Sequence, residues 1–277
     1  MTAASGDRSR TNGSSASPSS PTGHRTASAS SDRQRAPRSR RRPGGAARRL
    51  FRFDRSLGVR FVAGADEAGR GCLAGPLVAA AVLFDLERIG PREVRALSAL
   101  NDSKQQLPEK RAEVFPVILR TAAKVVIVSR CAPGIDSRGL HKTNLAALRD
   151  ALAKVACPGC ICLSDGFPVA ALAHEQMAVV GGDAKSAAIA AASVIAKETR
   201  DRYMRKADRV HPGWEFATHV GYSTPEHRDA IERLGMSPLH RRSFQSVAYL
   251  QLGLGPFEDV PEGLGDEIAE LERSTAA

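Results

Sequence analysis

From Val59 onward, short apolar runs that read as strands alternate with segments whose apolar residues recur at helical spacing. This alternation restricts the chain to a sheet with helices packed on it. Val59-Arg-Phe-Val-Ala63 and residues 77–84 read as neighbouring strands, and their closeness in sequence predicts a β-hairpin. Lys124-Val-Val-Ile-Val-Ser129 reads as a buried strand, and Cys160-Ile-Cys-Leu-Ser164 as another. A helix is expected over residues 107–122, capped by Asp102 or Ser103 and kinked or interrupted at Pro116. A second follows over residues 143–155. The longest begins near Asp183 and runs towards Lys206, rich in Ala and Ser that permit close packing. Shorter helical segments at 225–234 and 238–252 complete an α/β body with a helical C-terminal part.

The ends differ from this body. Residues 1–50 are Ser, Arg, Pro, Gly and Ala with almost no large apolar side chains, and eleven arginines against Asp7 and Asp32 give them a net +9. Such a segment buries too little surface to offset its ordering entropy, so a disordered basic arm is expected. Residues 256–277 carry seven acids and only Arg273, a net −6, and read as an acidic tail with a short helix over 266–273. Of the total charge of +10, the body at 51–255 keeps +7. That suits a polyanionic partner without specifying one. The cysteines are Cys72, Cys131, Cys157, Cys160 and Cys162, an odd number with no secretory signal before them, which predicts a reducing, cytoplasmic setting. Cys157-Pro-Gly-Cys160 has the spacing of half a zinc site, but no second pair completes it, and it reads as a turn into an apolar strand. No apolar run approaches the roughly 20 residues that span a bilayer, so a soluble protein is expected.

The chemistry lies in the acids. Gly64-Ala-Asp66-Glu67-Ala-Gly69-Arg70-Gly71 puts two carboxylates at the end of an apolar strand, ahead of a glycine-rich turn. Successive strand side chains face opposite ways, so both serve one site only if the backbone leaves regular pleating there, which Gly64 and Gly69 would permit. Two solvated acids at a strand end is the plainer alternative. Asp165 precedes Gly166 just after a strand, as in an ordinary turn, and Asp183 before a long helix reads as an N-cap. Yet all these acids fall at strand ends or a helix start, where an α/β body can gather them. Clustered oxygen donors suit Mg²⁺ or Mn²⁺, and two such ions promote phosphodiester hydrolysis.

At these residues the sequence closely resembles ribonuclease HII, the type 2 ribonucleases H. The resemblance runs from about residue 59 to 247. It rests on Gly64-Ala-Asp-Glu-Ala-Gly-Arg-Gly71, Ala74-Gly-Pro-Leu-Val78, Leu100-Asn-Asp-Ser-Lys104, Asp165-Gly166 and Gly182-Asp-Ala-Lys-Ser186. It continues through Ile189-Ala-Ala-Ala-Ser193, Ala196-Lys197, Gly221-Tyr-Ser-Thr-Pro-Glu-His227 and His240-Arg-Arg-Ser-Phe244. It implies a ribonuclease H-like mixed β-sheet flanked by helices, with a small helical C-terminal region. It further implies Asp66, Glu67, Asp165 and Asp183 as catalytic ligands of Mg²⁺ or Mn²⁺. In that scheme Asp66 bridges two ions, Asp183 helps hold the one that activates water, and Glu67 and Asp165 serve the other. The products are a 3′-hydroxyl and a 5′-phosphate.

By the same resemblance, the backbone of Gly69-Arg70-Gly71 reads the 2′-hydroxyl at an RNA-to-DNA junction from the minor groove, and Tyr222 stacks beneath the junction sugar. Lys104 is a phosphate contact, with Lys185 a second candidate. The implied substrates are RNA–DNA hybrids and duplex DNA with embedded ribonucleotides. The implied setting is ribonucleotide excision repair, with a share in primer removal. A monomer is expected, and a sliding clamp is a compatible partner that no residue here assigns. Phe167 departs from the Asn of many relatives, and Gly181 and Val220 stand where Lys is frequent, which bears on phosphate contacts. The enzyme alternative, ribonuclease HIII, usually has another residue between the two glycines and an added N-terminal domain. A non-catalytic hybrid-binding module would be expected to lack a carboxylate. A third reading makes the arginine-rich arm a nucleic-acid tether, whose removal would abolish activity at moderate salt.

Overall fold

A computed structural model describes residues 45–100 and 107–244. Along the chain these form α1 (Gly45–Ser56), β1 (Phe61–Ala68), β2 (Leu77–Asp85), α2 (Pro91–Ala96), α3 (Pro108–Thr121), β3 (Lys124–Arg130), α4 (Ala132–Arg138) and α5 (Leu140–Val155). After them come β4 (Cys160–Asp165), β5 (Gln176–Val179), a 3₁₀ turn (Gly182–Ala184), α6 (Ala187–Val210), α7 (Phe216–His219) and α8 (Pro225–Leu234). The five strands make one mixed sheet in the order β3-β2-β1-β4-β5. β1 and β2 form the expected hairpin, antiparallel from Phe61↔Asp85 to Ala68↔Val78. β4 lies parallel on the other side of β1, from Phe61↔Cys160 to Ala65↔Ser164.

The alternation of strand side chains divides the core in two. Val62, Val82, Phe84 and Leu163 face α1 and α6, while Ala63, Ala65, Leu83 and Cys162 face Leu148, Ala151 and Leu152 of α5. The small residues of α6 do what their size permits. Ala187, Ala188, Ala190, Ala191 and Ala192 are wholly buried. A Cβ on Gly64 would stand 2.3 Å from the carbonyl carbon of Ala188 and the nitrogen of Ile189, so only glycine lets β1 and α6 approach this closely. Asp54 of α1, also buried, accepts the Ala188 amide at 3.0 Å and ties α1 to the start of α6.

Several expectations need correction. The described body includes residues 45–50, expected to belong to the arm, because Ala47 and Leu50 pack into the core from α1 despite the arginines around them. α3 continues without interruption through Pro116, held by buried Val114 and Ile118 and by the Arg111–Asp201 ion pair to α6, so packing outweighs one lost backbone hydrogen bond. The buried strand expected at 124–129 is the sheet edge: Val128 is buried but Ile127 is 43% exposed. α6 is capped by Ser186, which accepts the Ile189 amide, and not by Asp183, which sits in the preceding 3₁₀ turn. Of the helical segment expected at 238–252, residues 238–244 are not helical and the rest lies outside the described residues. Asp102, Ser103 and the helix expected at 266–273 lie outside the described residues.

Candidate active site

β1 keeps regular pairing to its end, with Asp66 opposite Ala80 and Glu67 opposite Ala79, so the expected break in pleating does not occur. The two carboxylates instead occupy opposite faces and meet around the end of the sheet. Asp66 points to the α6 side, where it is 5% exposed and bonded to the side chain of Ser193. Glu67 points to the α5 side, where Asn144 Nδ2 donates to its Oε1 at 3.1 Å. The parallel register places Asp165 one step beyond the Ala65↔Ser164 pair, level with Asp66 on the neighbouring strand. Asp165 Oδ1 accepts the Gly182 amide at 2.7 Å, which fixes the turn carrying Asp183, itself 5% exposed.

The electrostatics follow from this crowding. Burial, and then the charges of Glu67 and Asp165, push the Asp66 carboxyl well above the ordinary carboxylate range. Hydrogen bonds from Ser193 and from the Glu67 amide, 2.7 Å from Oδ1, pull the other way without prevailing. A cation would relieve this repulsion, and a set made only of carboxylate oxygens suits a hard divalent ion. Among the described residues, no three His, Cys, Asp or Glu side chains close into a ready-made ligand cage. Cys160 and Cys162 lie instead in the core beneath α5.

Beside the carboxylates, three loops are bound into a cradle. Arg200 of α6 is completely buried and donates to the carbonyls of Pro76 (2.9 Å), Ala74 (2.8 Å) and Val220 (2.7 Å). Arg241, equally buried, donates to Gly75 and, at 3.0 Å, to the carbonyl of Arg70 itself. Gly69 has a φ of +90°, and a Cβ there would stand 2.1 Å from Arg200 Nε, so this turn requires glycine on both counts. Val220, a β-branched residue at φ +44°, is held in left-handed backbone ahead of Gly221 and Tyr222.

Three histidines lock the same loop. Carbonyls only accept and backbone amides only donate, so the ring tautomers follow from the partners. His219 accepts the Gly221 amide at Nδ1 and donates from Nε2 to Trp214 O. His227 donates from Nδ1 to Tyr222 O, leaving Nε2 to accept from His240 Nε2 at 3.1 Å. His240 in turn accepts the Ser237 amide at Nδ1. All three rings are therefore neutral, and burial lowers the His227 and His240 pKa values to about 3 and about 4.

Of the other expected site residues, Tyr222 is 39% exposed beside the cradle, with Lys197 Nζ 4.7 Å from its ring centre and 3.4 Å from its hydroxyl. Lys185 folds back onto Val180 O at 2.7 Å. Lys104 lies outside the described residues. Sequence reasoning missed Asn144, Arg200 and Arg241. Asn144 carried no signal, and a buried arginine looks like any surface arginine until its carbonyl partners are known.

Known proteins place this arrangement. The ribonuclease HII family model matches residues 63–247. A ribonuclease HII of Mycobacterium avium (strain 104) is 47% identical over 195 residues, covering 70% of this chain and 82% of that protein. Among solved structures, ribonuclease H2 from Pyrococcus horikoshii OT3 superposes with a TM-score of 0.58 at 27% identity, covering 69% of this chain and 96% of the other. Bst-RNase HIII in complex with Mn²⁺ matches at TM-score 0.57 and 19% identity over 77% and 73% of the two chains, which shows a shared fold alone. With a family model over most of its described length and a relative at nearly half identity, the chain belongs to the ribonuclease HII family and is an endoribonuclease.

Proposed function

We propose that this endoribonuclease hydrolyses the RNA strand of RNA–DNA hybrids and nicks duplex DNA on the 5′ side of embedded ribonucleotides, leaving 3′-hydroxyl and 5′-phosphate ends. The observation that carries the reading is the meeting of Asp66, Glu67 and Asp165 at the ends of adjacent strands, next to the cradled Gly69-Arg70-Gly71 turn. Asp66, Glu67, Asp165 and Asp183 are the residues that would hold Mg²⁺ or Mn²⁺. Two such ions, when bound, would supply an activated water and charge stabilisation at the leaving oxygen.

The chain's own part is positioning. Ser193 and Asn144 orient Asp66 and Glu67, and the Gly182 amide orients Asp165. Arg241 fixes the carbonyl side of the turn whose glycines allow a close approach to the minor groove, where a 2′-hydroxyl distinguishes RNA from DNA. Tyr222, steadied by Lys197 and by His227 at its carbonyl, offers a partly exposed ring for a sugar to rest on. The biological role is removal of ribonucleotides misincorporated into DNA, with a share in primer removal. Five free cysteines fit a reducing, cytoplasmic setting.

The test is Mg²⁺- and Mn²⁺-dependent cleavage of a DNA duplex carrying one ribonucleotide, with Asp66→Asn and an all-DNA duplex as controls. A nick 5′ to the ribonucleotide, lost in the variant and absent from the all-DNA duplex, is expected. Binding without cleavage under either metal would overturn the catalytic reading.

A further inference from the structure

The cradle holds the backbone of Arg70, but its side chain is placed by something else. The Arg70 guanidinium lies over the ring of Phe167, 5.1 Å from its centre, and His141 packs edge-on against the same ring at 5.6 Å and 80°. Both ends of this stack are anchored. Arg241 holds the Arg70 carbonyl, and the Ser164 hydroxyl holds the Phe167 carbonyl. The stack thus bridges the turn after β1 and the turn after β4, three residues from Glu67 and two from Asp165.

Two further facts bear on its purpose. The guanidinium makes no hydrogen bond or ion pair among the described residues, and its Nε is buried without a partner. The neighbouring acids at the strand ends would repel a nucleic-acid backbone, so a cation held beside them has something to offset. A guanidinium laid on an aromatic face keeps its donors in one plane, the arrangement that meets phosphate oxygens two at a time.

We propose that the Arg70 side chain contacts a backbone phosphate of the duplex beside the scissile position, and that Phe167, steadied by His141, is the residue that positions it. Arg70 thereby serves twice, through its backbone at the junction and through its side chain on the phosphate. This rests on the proposed substrate being a ribonucleotide-containing duplex.

The experiment measures binding of the full chain to a DNA duplex with one ribonucleotide, without divalent metal, by fluorescence anisotropy over a KCl series. Each phosphate contact contributes about 0.9 to the slope of log affinity against log salt. Arg70→Met is expected to weaken binding about tenfold at moderate salt and to reduce the slope by about 1. Phe167→Leu should weaken binding severalfold, and Phe167→Tyr, which keeps the ring, should bind as wild type does. In the Arg70→Met background, Phe167→Leu should add nothing. An unchanged slope in Arg70→Met overturns the phosphate contact, and equal losses for Phe167→Leu with and without Arg70 overturn the positioning role. Wild-type cleavage of the same duplex with Mg²⁺ or Mn²⁺ is measured separately. The expected binding pattern without cleavage upholds the stack and sinks the catalytic reading, whereas cleavage with unaltered slopes sinks the stack alone.

Discussion

The strand-end carboxylates and the loop cradle beside them are built on opposite principles. At the strand ends, like charges are buried together, and Asp66 sits where its ionised form is costly. In the cradle, Arg200 donates to three carbonyls, and the ring nitrogens of three neutral histidines all have partners. One region is left electrostatically unbalanced, as the proposed cation site would require. The other is saturated so that it can hold a shape. Stability and reactivity in this protein are therefore set by different residues and should respond to mutation in different ways.

The strongest contrast comes from Asp66→Asn. It should lower cleavage on the order of a thousandfold while leaving thermal stability unchanged or raised, because it removes a repelled buried charge. A large loss of stability in a melting experiment would show that the strand end is as structural as the cradle. Next, Arg200→Met leaves three carbonyls without their donor and should cost about 3 kcal/mol or more in urea unfolding. An undestabilised variant would break the distinction from the other side. Asn144→Ala should reduce activity or metal affinity about 10- to 100-fold, as loss of a group that orients a ligand typically does. Isothermal titration with Mn²⁺ beside single-turnover rates checks this, and a change in melting temperature alone would demote Asn144 to packing.

The smallest effect separates the two regions by pH. His227 and His240 titrate at about 3 and about 4 when folded and near 6.5 when unfolded. Their stabilisation is complete above pH 6.5 and is lost as the pH falls towards those folded values, by up to about 1.4 kcal/mol per pH unit for each ring. Asp54, raised by burial to about 6 from 3.8, runs the other way and relieves the fold as it protonates below pH 6. Asp66, also raised, has the same sign. Asp54→Asn removes an opposing contribution, so urea midpoints of this variant should fall more steeply than those of the wild type between pH 6 and 5. Parallel curves would mean that the Asp54 carboxyl does not offset the histidines.

How much of this was readable beforehand depends on the range of the interactions involved. Asp66 and Glu67 stand out as paired acids at a strand end. Asp165 and Asp183 read singly as a turn residue and an N-cap, and gain a site role only from their place at element ends and from the family resemblance. The hairpin and the long alanine-rich helix were legible from local pattern. The face each carboxylate takes was misjudged, because the turn of the site around the sheet end depends on α5 and α6, which contribute Asn144 and Ser193 from far along the chain. The place of residues 45–50 in the body was missed because arginine-rich composition hid Ala47 and Leu50. Removing residues 1–50 to test a tether would also remove these two core residues. Phe167 was noted only as a departure, and its role rests on Arg70 and His141, which no local pattern joins to it.

Arg241 reaches back 166 residues to Gly75. A chain still being synthesised therefore contains all four carboxylates well before it contains the residue that secures the Gly69-Arg70-Gly71 turn. Any product that ends short of position 241, whether from premature termination or proteolysis, retains all four acids without the clasp on that turn. The turn after β1 is in this sense completed from the C-terminal side, by a residue far along the chain.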